Sequence, residues 1–149
     1  MSKSDTFENA LMLLIFNNTD IANIGDAAGL LGSATAGNLY AAMHTADPGD
    51  AGSAITSETA YENYARVAVA RASGAGGFTV TTNSVSPTDD VTFPTAGSTS
   101  PGGPLTHFSI VNTSSGAGII LYSGTLTPNI TMADGVAPKL KNTSTITED

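Results

Sequence analysis

The sequence predicts a mainly β protein, an antiparallel β-sandwich of jelly-roll type with one N-terminal α-helix. Three observations lead to this fold class. Short runs with strand-like alternation recur about every 8–12 residues along most of the chain. Turn segments rich in Gly, Pro, Asn and Asp stand between these runs, without helical patterns that could connect parallel strands. Helical periodicity is clear in one segment only, near the N-terminus.

The length of the chain predicts a single domain. A chain of 149 residues buries about 70% of the surface that its unfolded state exposes, which is enough for one core. We expect residues 1–37 to form a helical N-terminal segment and residues 38–149 to form the sandwich. A long loop is expected at 94–104, where few residues are apolar, and it should be mobile or act as a contact arm.

The segment SKSDTFENALMLLIFN predicts the helix. Ser4 or Asp5 can cap its N-terminus, and Glu8 follows Asp5 by three residues, as a capping box requires. The predicted apolar face consists of Phe7, Leu11, Leu14 and Asn18, widened by Ala10, Met12 and Ile15. Such a face must lie against a sheet or another chain. A second, short helical turn is expected over residues 21–28.

The remaining pattern is typical of strands. In NLYAAMH, the odd-numbered residues from Leu39 to Met43 alternate with the even-numbered residues from Tyr40 to His44, which indicates a half-buried strand. Asp47 starts a DPGD turn, so we expect His44 where the strand reaches the surface. The predicted strands are 38–44, 64–71, 78–82, 84–86, 91–93, 105–111, 118–123, 130–132, 137–141 and 144–147.

The composition excludes several classes of function. Charged residues make up 12% of the chain, about half the usual ~25%, and the net charge is −8. Binding to nucleic acid or to an anionic membrane is not expected, because no Lys or Arg lies between Ser4 and Ala65. The absence of Cys excludes disulfides and thiolate metal sites. The longest apolar run, ALMLLIF, is too short to span a bilayer, and no signal peptide is recognised.

Two groups of residues could in principle carry chemistry. His44 and Asp47, together with His107, offer two imidazoles and a carboxylate, which is a ligand set for zinc or ferrous iron. We favour the simpler interpretation that Asp47 caps a turn and His44 ends a strand. The paired carboxylates Asp89 with Asp90 and Glu58 with Glu62 fit a turn and a solvated helical turn, respectively, better than a cleft.

The hydroxyl-rich and Gly-rich stretches are weaker signals. GSTS at 97–100 and TSSGAG at 113–118 lack a nucleophile elbow, and GAGG at 74–77 does not precede a helix. The sequence therefore predicts no catalytic, cofactor-binding or metal-ligating residues, no cofactor and no enzymatic activity.

Arg66 and Arg71 are more informative, because both belong to a predicted strand, NYARVAVAR. The simpler interpretation is that they bond carbonyl groups or an acidic side chain at a sheet rim. The alternative is that one guanidinium pairs with a carboxylate across a subunit interface. Tyr61 and Tyr64 are the best candidates for exposed aromatic platforms of a carbohydrate site.

Several segments resemble a family of small virion proteins of tailed bacteriophages. They are LYAAMHTADPGDAG, TSETAYENYARVAVAR, THFSI, SSGAGIILYSG and the closing TED. Members of this family are identified as tail-fibre-like, and some look like jelly-roll capsid cement proteins. The resemblance implies a structural virion protein without an active site.

The leading hypothesis from this resemblance is a cement, or decoration, protein on the outer surface of a phage head. It would bridge capsomers, with the major capsid protein as partner and with self-association as a dimer or trimer, after synthesis in the host cytoplasm. One alternative is a tail-fibre or baseplate attachment module. An alternative of another class is a small carbohydrate-binding or metal-dependent sandwich domain.

Overall fold

A computed structural model describes residues 2–148 and is mainly β. Its elements in chain order are α1 (Asp5–Asn17), β1 (Asn38–His44), β2 (Val67–Ala70), β3 (Phe78–Thr81), β4 (Ser84–Pro87), β5 (Val91–Thr92), β6 (Leu105–Val111), β7 (Ile120–Ile130), β8 (Lys139–Leu140) and β9 (Ile146–Thr147). Within this described part, α1 is the one helix. The predicted antiparallel, mainly β fold with one N-terminal helix is confirmed, whereas the jelly-roll connectivity stays a prediction.

The described strands form three sheets. Four strands have the order β2-β1-β6-β7, three have the order β3-β4-β9, and β5 pairs with β8. In the largest sheet, β1 and β6 are antiparallel and in continuous register from Tyr40 opposite Val111 to His44 opposite His107. In this order, β1 and β6 are the inner strands, and β2 and β7 lie at the two ends of the sheet.

Internal contacts divide the chain into two compact units. The first unit comprises residues 2–38, 69–90 and 141–148, and it contains α1, β3, β4 and β9. The second unit comprises residues 39–68 and 91–140, and it contains β5 to β8 with nearly all of β1. The prediction of one domain over residues 1–149 stays a prediction.

Helix α1 begins where the sequence predicts but buries a different face. Ser4 is the N-cap, and its hydroxyl accepts from the Phe7 amide at 3.4 Å, so the Asp5–Glu8 capping box is wrong. The buried residues are Glu8, Met12 and Phe16, spaced by four, whereas Phe7 on the predicted face is exposed. The reason is that the helix is apolar around most of its circumference, so periodicity alone does not select the face that packs. Phe16 packs edge-on against Phe78 of β3, with ring centroids 4.9 Å apart.

Strand β1 has the predicted bounds but not the predicted burial. Every residue from Ala41 to His44 is buried, because a strand inside a sheet with both faces covered does not alternate. His44 has no exposed surface, so the expectation that it marks the surfacing of the strand is wrong.

The predicted secondary structure is wrong in two other regions. Strand β7 runs through SGTLTPN without a break, where the sequence suggests a turn between two short strands. The helical turn expected over 21–28 is instead closed by a β-bridge between Ile21 and Leu30. In that segment the Asp26 carboxylate accepts from the amides of Ala28 and Gly29, at 2.9 and 3.0 Å, respectively. A carboxylate bonded to the amides two and three residues ahead stabilises a turn in competition with a helix.

The loop at 94–104 does not project as a free arm. Ala96 is buried, and its amide donates to the Val136 carbonyl at 2.8 Å. Further along, the Thr99 amide donates to the Glu62 carboxylate at 2.9 Å. Hydrogen bonds along the loop therefore hold it against other segments of the second unit.

Candidate functional site: a bonded polar cluster and an open sheet edge

The second unit contains a buried ion pair that the sequence does not reveal. Arg66 is 8% exposed, and its Nε and Nη2 donate to Oε1 and Oε2 of Glu58 at 2.7 and 2.8 Å, respectively. Its Nη1 donates to the carbonyl and hydroxyl oxygens of Thr113, both at 3.0 Å, and Nη2 also donates to the Gly116 carbonyl at 2.8 Å. These five bonds use all the donors of a guanidinium. The hydrogen bond to Glu58 raises the pKa of Arg66.

Arg66 therefore follows the simpler of the two interpretations. Its carboxylate partner lies in the same chain, so the proposed pairing across a subunit interface is wrong for this residue. The turn that contains TSSGAG supplies carbonyl groups to the guanidinium rather than a nucleophilic serine. Glu58 and Glu62 do not form the predicted solvated helical turn, because Glu58 forms a β-bridge with His44.

His44 and Tyr64 complete the cluster. The Nδ1 of His44 lies 2.9 Å from the Thr56 carbonyl, which can only accept, so Nδ1 carries the proton. Nε2 then accepts from the Ser109 hydroxyl at 2.7 Å. Burial lowers the pKa of His44. The Tyr64 hydroxyl donates to the Glu58 carboxylate at 2.9 Å. Burial raises the pKa of Tyr64.

The geometry of this cluster favours a structural role over metal binding. Both ring nitrogens of His44 are engaged, and the Asp47 carboxylate accepts from the Gly49 amide at 2.9 Å, as a turn requires. His107 lies opposite His44 in the β-ladder, but its Nδ1 is bonded to the Thr106 hydroxyl at 2.9 Å. Among residues 2–148, no three His, Asp or Glu side chains are grouped closely enough to hold a metal ion.

The other predicted pairs have separate partners. Asp89 accepts from the amide of Gly76, within the GAGG segment, at 2.8 Å, and Asp90 pairs with Lys141 at 2.9 Å. Tyr61 is buried, with its hydroxyl donating to the Pro94 carbonyl at 2.8 Å, and burial raises its pKa to about 12. Neither Tyr61 nor Tyr64 is an exposed platform, so that prediction is wrong.

Arg71 binds the end of helix α1 within the first unit. Its Nε donates to the Ile15 carbonyl at 2.7 Å and its Nη2 to the Leu14 carbonyl at 2.6 Å. Its Nη1 donates to the Ser33 hydroxyl at 2.9 Å. The last turn of α1 has no basic residue of its own, so Arg71 supplies the positive charge that a helix C-terminus favours.

The second unit has an open groove beside the start of β7. A groove of about 380 Å³ is lined by Gly49, Asp50 and Gly52 on one side and by residues 120–123 on the other. Nearby, Ile119 is 65% exposed, the highest value among the exposed large apolar residues. The sequence does not reveal this strand edge, because Gly124 and Pro128 resemble turn residues, although Pro is compatible with an edge strand.

The first unit has exposed features of its own. A cleft of about 490 Å³ is lined by Asp5, Thr6, Asn9, Thr82 and Asn83. Large apolar side chains are exposed at Phe7, Ile24, Leu30 and Leu31.

The fold and these features are those of a structural β protein, in which the main polar cluster is bonded internally. The chain belongs to the family described as podophage GP4 fiber I protein gp80, whose model matches residues 2–147. It is therefore a structural virion protein of a bacteriophage, as the resemblance implies. The comparison with curated proteins finds no match. No helix within residues 2–148 has both the length and the apolar character needed to cross a membrane.

Proposed function

We propose that this protein is a component of a podophage tail fibre and that it acts there by binding other proteins. The observation that carries the proposal is the match of the fibre-protein family model to residues 2–147, nearly the whole chain. A match of this extent favours a role that involves the entire fold rather than one motif.

The arrangement of polar groups supports a binding role without catalysis. A general acid or base needs a free polar atom within reach of a substrate. The ring nitrogens of His44 and the donors of Arg66 are occupied by neighbouring groups of the chain. We propose on this basis that the protein is not an enzyme.

The location in the virion is the point that an experiment must decide. The capsid cement role, with the major capsid protein as partner, stays a prediction that differs from the fibre role in location and copy number. Fibre proteins follow the low rotational symmetry of a tail, so we expect roughly three to a few tens of copies per virion. A cement protein follows the capsid lattice and would be present in hundreds of copies.

Quantitative mass spectrometry of purified virions would measure this number, with the major capsid protein as internal standard. Immunogold labelling with an antibody against this chain would locate it. We expect few copies and label confined to the tail. Hundreds of copies with label on the head would overturn the fibre proposal and favour the cement hypothesis.

A further inference from the structure

The middle of the loop at 94–104 is held by a single residue of the second unit. None of the eight residues 97–104, with the sequence GSTSPGGP, is buried. Each hydrogen bond that these eight residues make to the rest of the described chain involves Glu62. We call residues 97–104 the strap.

The two ends of the strap are fixed. On one side, Ala96 is buried, its amide donates to the Val136 carbonyl at 2.8 Å, and its carbonyl accepts from the Gly135 amide at 2.9 Å. On the other side, Leu105 has no exposed surface and begins β6. Any opening of the strap is therefore confined to the residues between these ends.

Glu62 holds the strap through its main chain and its side chain. Its amide donates to the Ser100 carbonyl at 2.6 Å, and its carbonyl accepts from the Gly97 amide at 3.4 Å. Its carboxylate accepts from the Thr99 amide at 2.9 Å. A Cβ added at Gly97 would overlap this carboxylate. The closed strap therefore depends on Glu62 and on the missing side chain at position 97.

The closed strap also covers a buried hydroxyl group. Thr59 is 4% exposed, and its Oγ1 has no hydrogen-bond partner among residues 2–148. Gly102 lies over this site, because a Cβ added there would be 3.5 Å from Thr59 Oγ1 and 2.9 Å from the Cβ of the buried Tyr61. A buried hydroxyl without a partner is destabilising, and contact with water removes that cost. Thr59 therefore opposes closure.

We propose that the strap opens locally while the rest of the second unit stays folded, and that opening exposes Thr59 and the side of Tyr61 that Gly102 covers. The Glu62 bonds stabilise the closed form, and the buried Thr59 hydroxyl destabilises it. Few buried apolar contacts are lost on opening, which is typical of segments with low local stability. Order–disorder transitions of such segments can switch access to a surface. The proposal is independent of whether the protein belongs to the fibre or to the head.

Amide hydrogen exchange of the full chain, followed residue by residue by NMR, tests the proposal. The reporter is the amide of Glu62, which is bonded to the strap. In the wild type, we expect its protection factor to be at least about tenfold lower than those of the β6 amides, because local opening suffices for exchange. Equal protection factors would mean that the strap opens only when the unit unfolds, and they would overturn the proposal.

Two substitutions within the strap test the role of Glu62. Gly97→Ala displaces the Glu62 carboxylate and should lower the protection factor of the Glu62 amide about tenfold. Gly103→Ala is the matched control, because its added Cβ meets only Thr45 Cγ2, at 3.9 Å, and it should not lower that factor. The β6 amides should keep their protection in both variants, which separates opening from loss of folding. Equal effects of the two substitutions would overturn the proposal.

A third substitution tests the hydroxyl under the strap. Thr59→Val replaces the hydroxyl with a methyl group of similar size and should raise the protection factor of the Glu62 amide about fivefold. Thr92→Val makes the same change at an exposed residue of β5 and should have no effect. An unchanged or lower factor in Thr59→Val would show that the hydroxyl is bonded in the closed form, for instance to a trapped water, and would overturn the proposal.

Discussion

Arg66 and Arg71 flank the same short strand, yet each completes a different unit of the molecule in a different way. In the second unit, Arg66 is almost fully buried and is neutralised by the Glu58 carboxylate. In the first unit, the half-buried Arg71 bonds only neutral oxygens, at the C-terminus of α1 and at Ser33. Deep burial of a charge requires an opposite charge, whereas partial burial needs only the partial negative charge of helix carbonyls.

Of the two arginine sites, we expect the loss of Arg66, the more deeply buried, to lower the unfolding free energy more. Arg66→Met leaves the Glu58 carboxylate without its partner in a mostly buried position, and we expect a loss of about 3 kcal/mol in unfolding free energy. Urea denaturation of both proteins would measure this loss. Lys141→Met is the matched control, because its ion pair with Asp90 is largely exposed and should contribute less than about 1 kcal/mol. Equal losses of unfolding free energy in the two variants would show that the depth of burial does not determine how much an ion pair contributes to the stability of this protein.

Replacing Arg71 should lower the unfolding free energy by a smaller amount. Arg71→Met removes three hydrogen bonds, but water can reach part of the site, so we expect a loss of about 2 kcal/mol. The amides in the last turn of α1 should also exchange faster with deuterium, as measured by hydrogen-exchange mass spectrometry.

Ser33→Ala serves as the control for Arg71, because it removes one bond and leaves both helix carbonyls paired. It should cost under about 1 kcal/mol and leave exchange in α1 unchanged. If Ser33→Ala had the effect of Arg71→Met, the helix end would not be what Arg71 stabilises.

The two sites should also differ in their response to pH. Burial lowers the pKa of His44 in the folded state, so below pH 6.5 the unfolded chain binds more protons than the folded one. The unfolding free energy should therefore fall as the pH falls from 6.5 toward the folded pKa. One proton limits this slope to about 1.4 kcal/mol per pH unit.

Urea denaturation between pH 7.5 and 5 would measure this dependence in the wild type and in His44→Gln. In His44→Gln, the fall in unfolding free energy that begins at pH 6.5 should be absent. In His107→Gln, this fall should remain, because His44 and its neighbours Glu58 and Arg66 are still present. If His44→Gln retained the wild-type dependence, another group would be responsible.

Strand bounds are predictable from the sequence where a strand-forming run ends in turn residues, and not where turn residues lie inside a strand. The bounds of β1 and β6 are predicted correctly, because each is a run of strand-forming residues that ends in strong turn residues. The bounds of β7 are wrong because Gly124 and Pro128 resemble turn residues, whereas the chain stays extended through both, with Gly124 opposite Phe108 of β6.

The candidate site was less predictable than the fold. The sequence singles out Arg66 and offers an internal acid as one partner, but it does not identify Glu58. It singles out His44 for the wrong reason, as a residue at the surface. In both cases the environment depends on segments that are distant in sequence, such as Thr113 and Ser109.

The sequence by itself determined the antiparallel β class, the N-terminal helix and the membership of a phage virion family. These properties depend on local patterns and on the order of segments. Only the tertiary structure decided which face of α1 is buried, which charges pair and which strand is left at a sheet edge. These outcomes depend on contacts between segments far apart in the chain, where burial and the pairing of charge outweigh local preference.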